Sequence, residues 1–212
     1  LNSLSSDIGD FTNLKGLSLM ANNLKSLPPE LENLQKLEFL NLFFNKFDSL
    51  PLVVTKLQSL KILNIADIGI TTLPPEIRNL KNLEELYIGH YFFGWNRDFE
   101  YLPKEIGELV NLKILSLPYS KIEQLPDEIE NLINLEALLI GFTEIKELPK
   151  TITNLTKLKL LDIQGNPQLN FEETFKIIEQ IENLQVIYLR NNELVNIPNF
   201  VFDIDTIDLT NN

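Results

Sequence analysis

The sequence of 212 residues contains no cysteine and one histidine, His90. Without cysteine, the chain cannot form a disulfide or a thiolate zinc site, and one histidine cannot build a two-histidine metal site. None of the eight glycines belongs to a G-x-G-x-x-G, phosphate-loop or G-x-S-x-G motif. These absences exclude redox and histidine-rich metal enzymes, and we expect a non-enzymatic protein with no cofactor and no metal.

Positive charge is also scarce. Eighteen lysines and arginines stand against 30 aspartates and glutamates, which gives a net charge of −12. A chain with this charge repels nucleic-acid phosphates and anionic membrane surfaces. No apolar run approaches the roughly 20 residues that a transmembrane helix needs. We therefore expect neither a nucleic-acid partner nor membrane insertion.

Leucine, in contrast, is abundant and periodic. There are 41 leucines, and units that open on leucine or isoleucine follow one another at intervals of 23, 23, 23, 29, 23, 23, 26 and 20 residues. The units begin at Leu14, Leu37, Leu60, Leu83, Leu112, Leu135, Leu158, Leu184 and Ile204. Their common pattern is L-x-x-L-x-L-x-x-N-x-L-x-x-L-P-x-x-I-x-x-L, so the chain is a tandem repeat.

This pattern resembles the leucine-rich repeat family over the whole chain. The L-P-x-x-I half, as in Leu27-Pro28 and Leu125-Pro126, is similar to the 23-residue class common in bacterial surface or secreted proteins, including those of spirochaete pathogens. It is also similar to some plant intracellular repeat proteins. The resemblance implies a horseshoe-shaped solenoid and no particular activity. The localisation is unknown from the sequence, but the resemblance favours a secreted or cell-surface protein of a bacterium.

Side-chain periodicity predicts the same α/β architecture independently. Leucines two residues apart, such as Leu17 and Leu19, point to one side of a strand. A single unit cannot bury them, but stacked units bury them between a parallel sheet and the returning proline segments. We predict a right-handed solenoid with about nine short parallel strands on its concave side and turns with short 3-10 segments on its convex side. We expect it to form one domain, 1–212, truncated within a repeat at both ends.

Two departures from the repeat concern its structure. Near residues 171–182 a helix replaces the proline half, because Asn170 can cap it, Glu173 completes a capping box, and Phe171 and Phe175 share one face. The asparagine of position nine, which satisfies backbone groups after each strand, is replaced in the central units. It is present at Asn22, Asn45, Asn166, Asn192 and Asn212, and replaced by Ile68, Tyr91, Ser120 and Thr143.

A third departure is an insertion in the fourth unit. Six of the eleven residues in 91–101 are aromatic, and they include the only tryptophan, Trp95. Phe93 or Phe99 takes the place of a core leucine, which leaves Phe92, Trp95 and other rings in surplus. Exposing such a side chain forgoes roughly 1.5–3 kcal/mol. The rings therefore either pack together as a local mini-core or bind a partner.

Aromatic residues also occupy predicted concave positions in the central units, where a solvated face would carry more charge. The alternative is that they pack laterally on neighbouring strands without any ligand. The predicted partner-binding residues are Phe39, Phe43, Phe44, Tyr87, His90, Phe92, Trp95, Tyr119, Phe142 and Tyr188.

The sequence thus predicts a scaffold that binds a protein or peptide through its concave aromatic face and the 91–101 insertion, with host-cell interaction as one setting. Two alternatives stay open. The chain is the recognition segment of a larger multidomain signalling protein, or it forms a homodimer through the concave face and has a structural role.

Overall fold

The computed structural model describes residues 1–90 and 99–212. Over these ranges the chain forms one parallel sheet in which each strand pairs with the next one along the chain. The strands are β1 (Gly16–Ser18), β2 (Phe39–Asn41), β3 (Ile62–Asn64), β4 (Glu85–Tyr87), β5 (Ile114–Ser116), β6 (Ala137–Leu139), β7 (Leu160–Asp162), β8 (Val186–Tyr188) and β9 (Thr206–Asp208). The predicted solenoid with nine short parallel strands is confirmed.

The register of the sheet follows the sequence repeat. The middle residues of neighbouring strands pair with one another, from Leu17 opposite Leu40 to Ile187 opposite Ile207. Inward-facing leucines such as Leu40, Leu63 and Leu86 are completely buried. The first and third residues of each strand point to the other side, which is the concave face. The leucine repeat therefore determines which residues remain available on that face.

Short 3-10 segments return the chain on the convex side. Proline precedes seven of the eight described segments, with φ between −58° and −71°. The first segment instead begins after Ser5, whose hydroxyl accepts a hydrogen bond from the Asp7 amide. The segments are Ser6–Asp10, Pro29–Asn33, Leu52–Lys56, Pro75–Asn79, Lys104–Glu108, Asp127–Asn131, Lys150–Asn154 and Asn199–Asp203. Because proline fixes φ and has no N–H, it suits this turn.

The predicted convex helix is α1 (Phe171–Ile178). The Asn170 side chain caps it by accepting a hydrogen bond from the Glu173 amide at 3.3 Å. Phe175 is buried against the core. The helix ends four residues before the predicted boundary, because the Gln180 and Ile181 amides donate to carbonyls only three residues back.

The asparagine ladder is present where asparagine occupies position nine. Asn45 accepts a hydrogen bond from the Leu24 amide and donates to the carbonyls of Leu19 and Leu42. Ser120 replaces the amide with a hydroxyl that donates to the Leu117 carbonyl. Ile68 is buried, and its side chain has no amide group that could bond to these backbone groups. Tyr91 lies outside the described residues.

Lysine and glutamate alternate at position two of consecutive units, directly before the first residue of the strand. Their side chains therefore line the amino-terminal ends of the strands, a feature that was not predicted from the sequence. Glu38 forms an ion pair with Lys61 at 2.8 Å, and Glu84 forms one with Lys113 at 2.6 Å. The complete series, which we call the charge ladder, is Lys15, Glu38, Lys61, Glu84, Lys113, Glu136 and Lys159. Opposite charges thus lie next to each other in consecutive units.

The charge ladder should make stability depend on pH and salt. A side-chain hydrogen bond from Lys61, together with its charge, holds the pKa of the Glu38 carboxyl below its ordinary value of 4.5. A lowered folded-state pKa stabilises the fold above 4.5, and this contribution is lost as the pH falls through the folded pKa. We expect Lys61→Met to lower the melting temperature at pH 7 by about one to three degrees in low salt, measured by circular dichroism.

The control for this prediction is Lys25→Met, because Lys25 is exposed and no ion pair of Lys25 occurs within residues 1–90 and 99–212. The Lys61→Met difference should shrink in high salt and at a pH low enough to protonate Glu38. An effect that is independent of both salt and pH would contradict an electrostatic contribution.

Candidate functional site

The concave face begins with the outward-facing strand residues. Phe39 lies in β2, Tyr87 in β4 and Tyr188 in β8, and all three side chains are half-buried. The Tyr87 hydroxyl donates a hydrogen bond to the Glu85 carboxylate on the same strand at 2.7 Å. Neighbouring strands bring these residues and other apolar ones, such as Ile114, onto one continuous surface.

The chain then turns off each strand through position eight, and these residues form a second row. The row consists of Ala21, Phe44, Asp67, His90, Tyr119, Phe142, Gly165, Asn191 and Asn211. Each amide of the row, except that of Asn211, donates to a carbonyl of the next unit, so the units stay in register beyond the strands. All of these residues except His90 have a positive φ, for example 54° at Tyr119 and 56° at Phe142.

Positive φ is costly for aromatic residues. A non-glycine residue in this region stores about 1–3 kcal/mol of strain, and it persists only where the surrounding structure fixes it. Here the inter-unit hydrogen bonds fix the turn. These hydrogen bonds hold Phe44, Tyr119 and Phe142 in the same backbone conformation at the same position of their units, so the position-eight row orders aromatic rings along one side of the concave face.

Tyr119 and Phe142 form the most regular part of this row. Their rings are parallel within 3°, and their centroids are 4.5 Å apart. Gly165 continues the row beneath Phe142, because a Cβ atom at Gly165 would lie only 2.2 Å from the Phe142 ring. Both rings remain half-buried. The stack is therefore supported from one side and presents part of its aromatic surface at the face.

Phe43 and Phe44 form a second aromatic pair in the second unit. Their ring centroids are 6.1 Å apart and their planes are inclined by 36°. The Asn41 side chain accepts a hydrogen bond from the Phe43 amide and so fixes the turn between strand and pair. Phe44 is 37% exposed. With Phe39 this pair extends the aromatic surface toward the first unit.

His90 lies between the two aromatic groups, but it is not on the open surface that the sequence suggested. Its Nδ1 atom lies 2.6 Å from the Asp67 carboxylate, and both side chains are at least nine-tenths buried. Asp67 was not among the predicted binding residues. Comparison of position eight between units would have found it, because the 23-residue repeat places it directly beside His90.

The structure does not describe the whole 91–101 insertion. Phe92 and Trp95, two of the predicted binding residues, lie outside the described residues. The return of the insertion is described: Phe99 is buried in the core, and the Glu100 and Tyr101 amides donate to the Thr71 carbonyl. Tyr101 is 68% exposed. The insertion thus rejoins the solenoid beside the third unit, where the Tyr101 ring lies on the surface.

Toward the C-terminal units the concave face becomes polar. Burial raises the pKa of the Asp162 carboxyl, while hydrogen bonds from Gln164 and the charge of Arg190 act in the opposite direction. Hydrogen bonds from Thr210 lower the pKa of Asp208 on β9. Tyr188 lies on β8, between the strands of these two carboxyl groups. The aromatic surface therefore ends in a charged region that our sequence analysis did not predict.

Two other kinds of feature are absent from residues 1–90 and 99–212. In these ranges no three histidine, aspartate or glutamate side chains group closely enough to hold a metal ion. Over the same part of the chain, no helix has both the length and the hydrophobicity to cross a bilayer.

Comparison with known proteins identifies the family. The model of a leucine-rich repeat region matches residues 2–99 and 96–207, whereas no curated protein sequence matches the chain. The leucine-rich repeat domain of the type III effector XopL is 22% identical, with a TM-score of 0.77 over 96% of this chain and 79% of that domain. The plant peptide hormone receptor RGFR1, solved in complex with RGF2, is 23% identical, with a TM-score of 0.62 over 97% of this chain and 38% of the receptor.

A leucine-rich repeat protein of Leptospira interrogans is 30% identical, with coverage of 90% of this chain and 64% of that protein and a TM-score of 0.41. The chain thus spans less than two thirds of the leptospiral protein and of the plant receptor. The family model, in contrast, covers almost all of the chain, and the nine strands form the corresponding fold. The chain therefore belongs to the leucine-rich repeat family, whose fold is commonly a non-enzymatic scaffold for binding proteins or peptides.

Proposed function

We propose that the protein binds a protein or peptide ligand through the aromatic part of its concave face, together with the 91–101 insertion. The observation that carries the proposal is the stacked pair of Tyr119 and Phe142, held at positive φ and left half-buried at the face. Rigid aromatic rings contribute large contact areas to interfaces and lose little side-chain entropy on binding.

The neighbouring residues support the same role. Phe39, Phe43 and Phe44 lie on one side of the buried pair Asp67–His90, and Tyr119 and Phe142 lie on the other. His90 therefore acts as a positioning residue that fixes the turn, and the aromatic rings make the contacts. The plant receptor RGFR1 holds a peptide in its complex, and we propose a comparable use of the fold here.

We further propose that this chain is a bacterial secreted or cell-surface protein that acts in host-cell interaction. The support for this setting is the 23-residue L-P-x-x-I pattern of the sequence. The same recognition role would serve a larger multidomain signalling protein. Homodimerisation is a rival use of the same rings. Light scattering tests it, because it measures whether the protein is a monomer or a dimer. A dimer that forms through the concave face should dissociate more readily when Tyr119 is replaced by alanine.

The test is to select linear peptides from a phage-displayed library and to measure their affinities by fluorescence anisotropy. We expect Tyr119→Ala to weaken binding at least tenfold, because truncation of a central aromatic residue typically costs about 2 kcal/mol or more. Tyr87→Ala and Trp95→Ala should also weaken it. The matched control is Phe202→Ala, since Phe202 is an exposed aromatic residue on a convex 3-10 segment. Peptides that bind Tyr119→Ala, Tyr87→Ala and Trp95→Ala all as tightly as the wild type would contradict the proposal.

A further inference from the structure

A groove on the convex side has no role in the concave site. It lies between α1 and the segment 192–200, and its volume is about 850 Å³. It arises because the seventh unit carries an α-helix, whereas the eighth unit returns through the short 3-10 segment Asn199–Asp203. The helix packs against the segment Lys150–Asn154 on its other side. Because the α-helix of the seventh unit takes up more space on the convex side than the 3-10 segment of the eighth, a groove remains between them.

The floor of the groove is apolar. The rings of Phe171 and Phe175 lie 5.6 Å apart, and Phe175 meets Phe200 edge-on at 6.3 Å. Phe171, Phe200 and Leu194 are only half-buried, and Val195 is 91% exposed. Apolar surface that remains in contact with water gains free energy when a ligand covers it.

The rim of the groove is acidic. Glu172, Glu179 and Glu193 line it, and Lys176 is its one basic residue. Lys176 is engaged by carboxylates on its own helix, at 3.2 Å from Glu172 and 2.6 Å from Glu173. Within residues 1–90 and 99–212, neither Glu179 nor Glu193 forms an ion pair. Their charges are therefore available to a cationic partner.

We propose that this groove docks a peptide segment that carries apolar side chains between basic residues. The apolar side chains cover the phenylalanine floor, and lysine or arginine on either side pairs with Glu179 and Glu193. A groove of this size falls within the range of about 300–1,000 Å³ typical of ligand sites, so it admits several side chains. The acidic rim disfavours anionic partners and sets the specificity.

The test uses two labelled synthetic peptides with the same leucine and phenylalanine centre, one with lysine pairs at both ends and one with glutamate pairs. Fluorescence anisotropy should show binding of the lysine peptide and at least tenfold weaker binding of the glutamate peptide. The double variant Glu179→Lys, Glu193→Lys should bind the lysine peptide roughly tenfold more weakly, because each attraction becomes a repulsion. Val195→Ser should weaken it a few-fold, since it removes exposed apolar surface without disturbing the core.

Matched controls separate this groove from general charge and from the concave site. The double variant Glu76→Lys, Glu147→Lys makes the same change of net charge at exposed positions elsewhere, and it should retain the affinity. Tyr119→Ala should retain it too. Equal affinity for the two peptides, or an equal loss in the Glu76/Glu147 variant, would overturn the proposal. Concentration-dependent dimerisation that Val195→Ser abolishes would assign the groove to a second copy of the chain and would also overturn it.

Discussion

Asn166→Ala is expected to lower the free energy of unfolding by about 3–5 kcal/mol. The Asn166 side chain is completely buried. It accepts a hydrogen bond from the Thr143 amide at 2.8 Å and donates to the carbonyls of Ile140 and Ile163 at 3.0 and 3.1 Å. Alanine leaves the buried Thr143 amide without a partner, which costs about 1–3 kcal/mol. It also removes one of the two hydrogen bonds that each of the Ile140 and Ile163 carbonyls accepts, at about 0.5–1.5 kcal/mol each, because these carbonyls still accept from the Thr143 hydroxyl and the Asn192 side chain. Urea denaturation followed by circular dichroism measures the loss.

Asn22→Ala provides the comparison within the same ladder. Asn22 is half-exposed and donates to the carbonyls of Leu19 and Met20. Water can replace these bonds, so we expect a loss of about 1 kcal/mol or less. If both variants lost the same stability, burial of the amide would not be the reason why the ladder stabilises the fold.

Gly89→Ala should have an effect of similar size for a steric reason. Gly89 has a φ of +72°, and a Cβ atom there would lie 2.2 Å from the Pro118 carbonyl oxygen. That oxygen accepts the His90 amide, so it cannot move away without breaking a bond between units. We expect a loss of about 3–5 kcal/mol, from the clash together with the cost of positive φ for a side chain.

Gly69→Ala separates these two causes. Gly69 also has a positive φ, +84°, but its nearest contact for a Cβ atom is the Phe47 carbonyl oxygen at 3.3 Å. The conformational cost is similar and the clash is mild, so we expect about 1 kcal/mol in the same denaturation experiment. Equal losses at Gly69 and Gly89 would show that the close approach to Pro118 contributes nothing.

The leucine spacing was sufficient to predict the strands, their order and the core. Each buried position recurs with the repeat, and stacking the units in chain order buries these positions between neighbours. The helix start was equally predictable, because Asn170 and Glu173 carry the cap in their own side chains. These features depend on local patterns that repeat or on pairs three residues apart.

The details of the concave site were less predictable. The positive φ of Phe44, Tyr119 and Phe142 cannot be predicted from these residue types. The turn is imposed by the hydrogen bonds that their amides donate to carbonyls of the next unit. The burial of His90 depends on Asp67, which lies a full repeat earlier in the chain. The convex groove depends on the different widths of two consecutive units. Such features arise between units, and a search within one unit does not find them.

The charge ladder carries a consequence for how the array can grow or shrink. If the unit that contributes Lys61 were deleted, Glu38 would come to lie beside Glu84, and two like charges would repel. If two consecutive units were deleted, Glu38 would meet Lys113 and the alternation would be preserved. Whether the alternation of charge is preserved therefore depends on whether the number of units added or removed is even or odd. Duplication or loss of repeats in pairs preserves the electrostatics of the charge ladder, whereas duplication or loss of a single repeat leaves a fault at the junction.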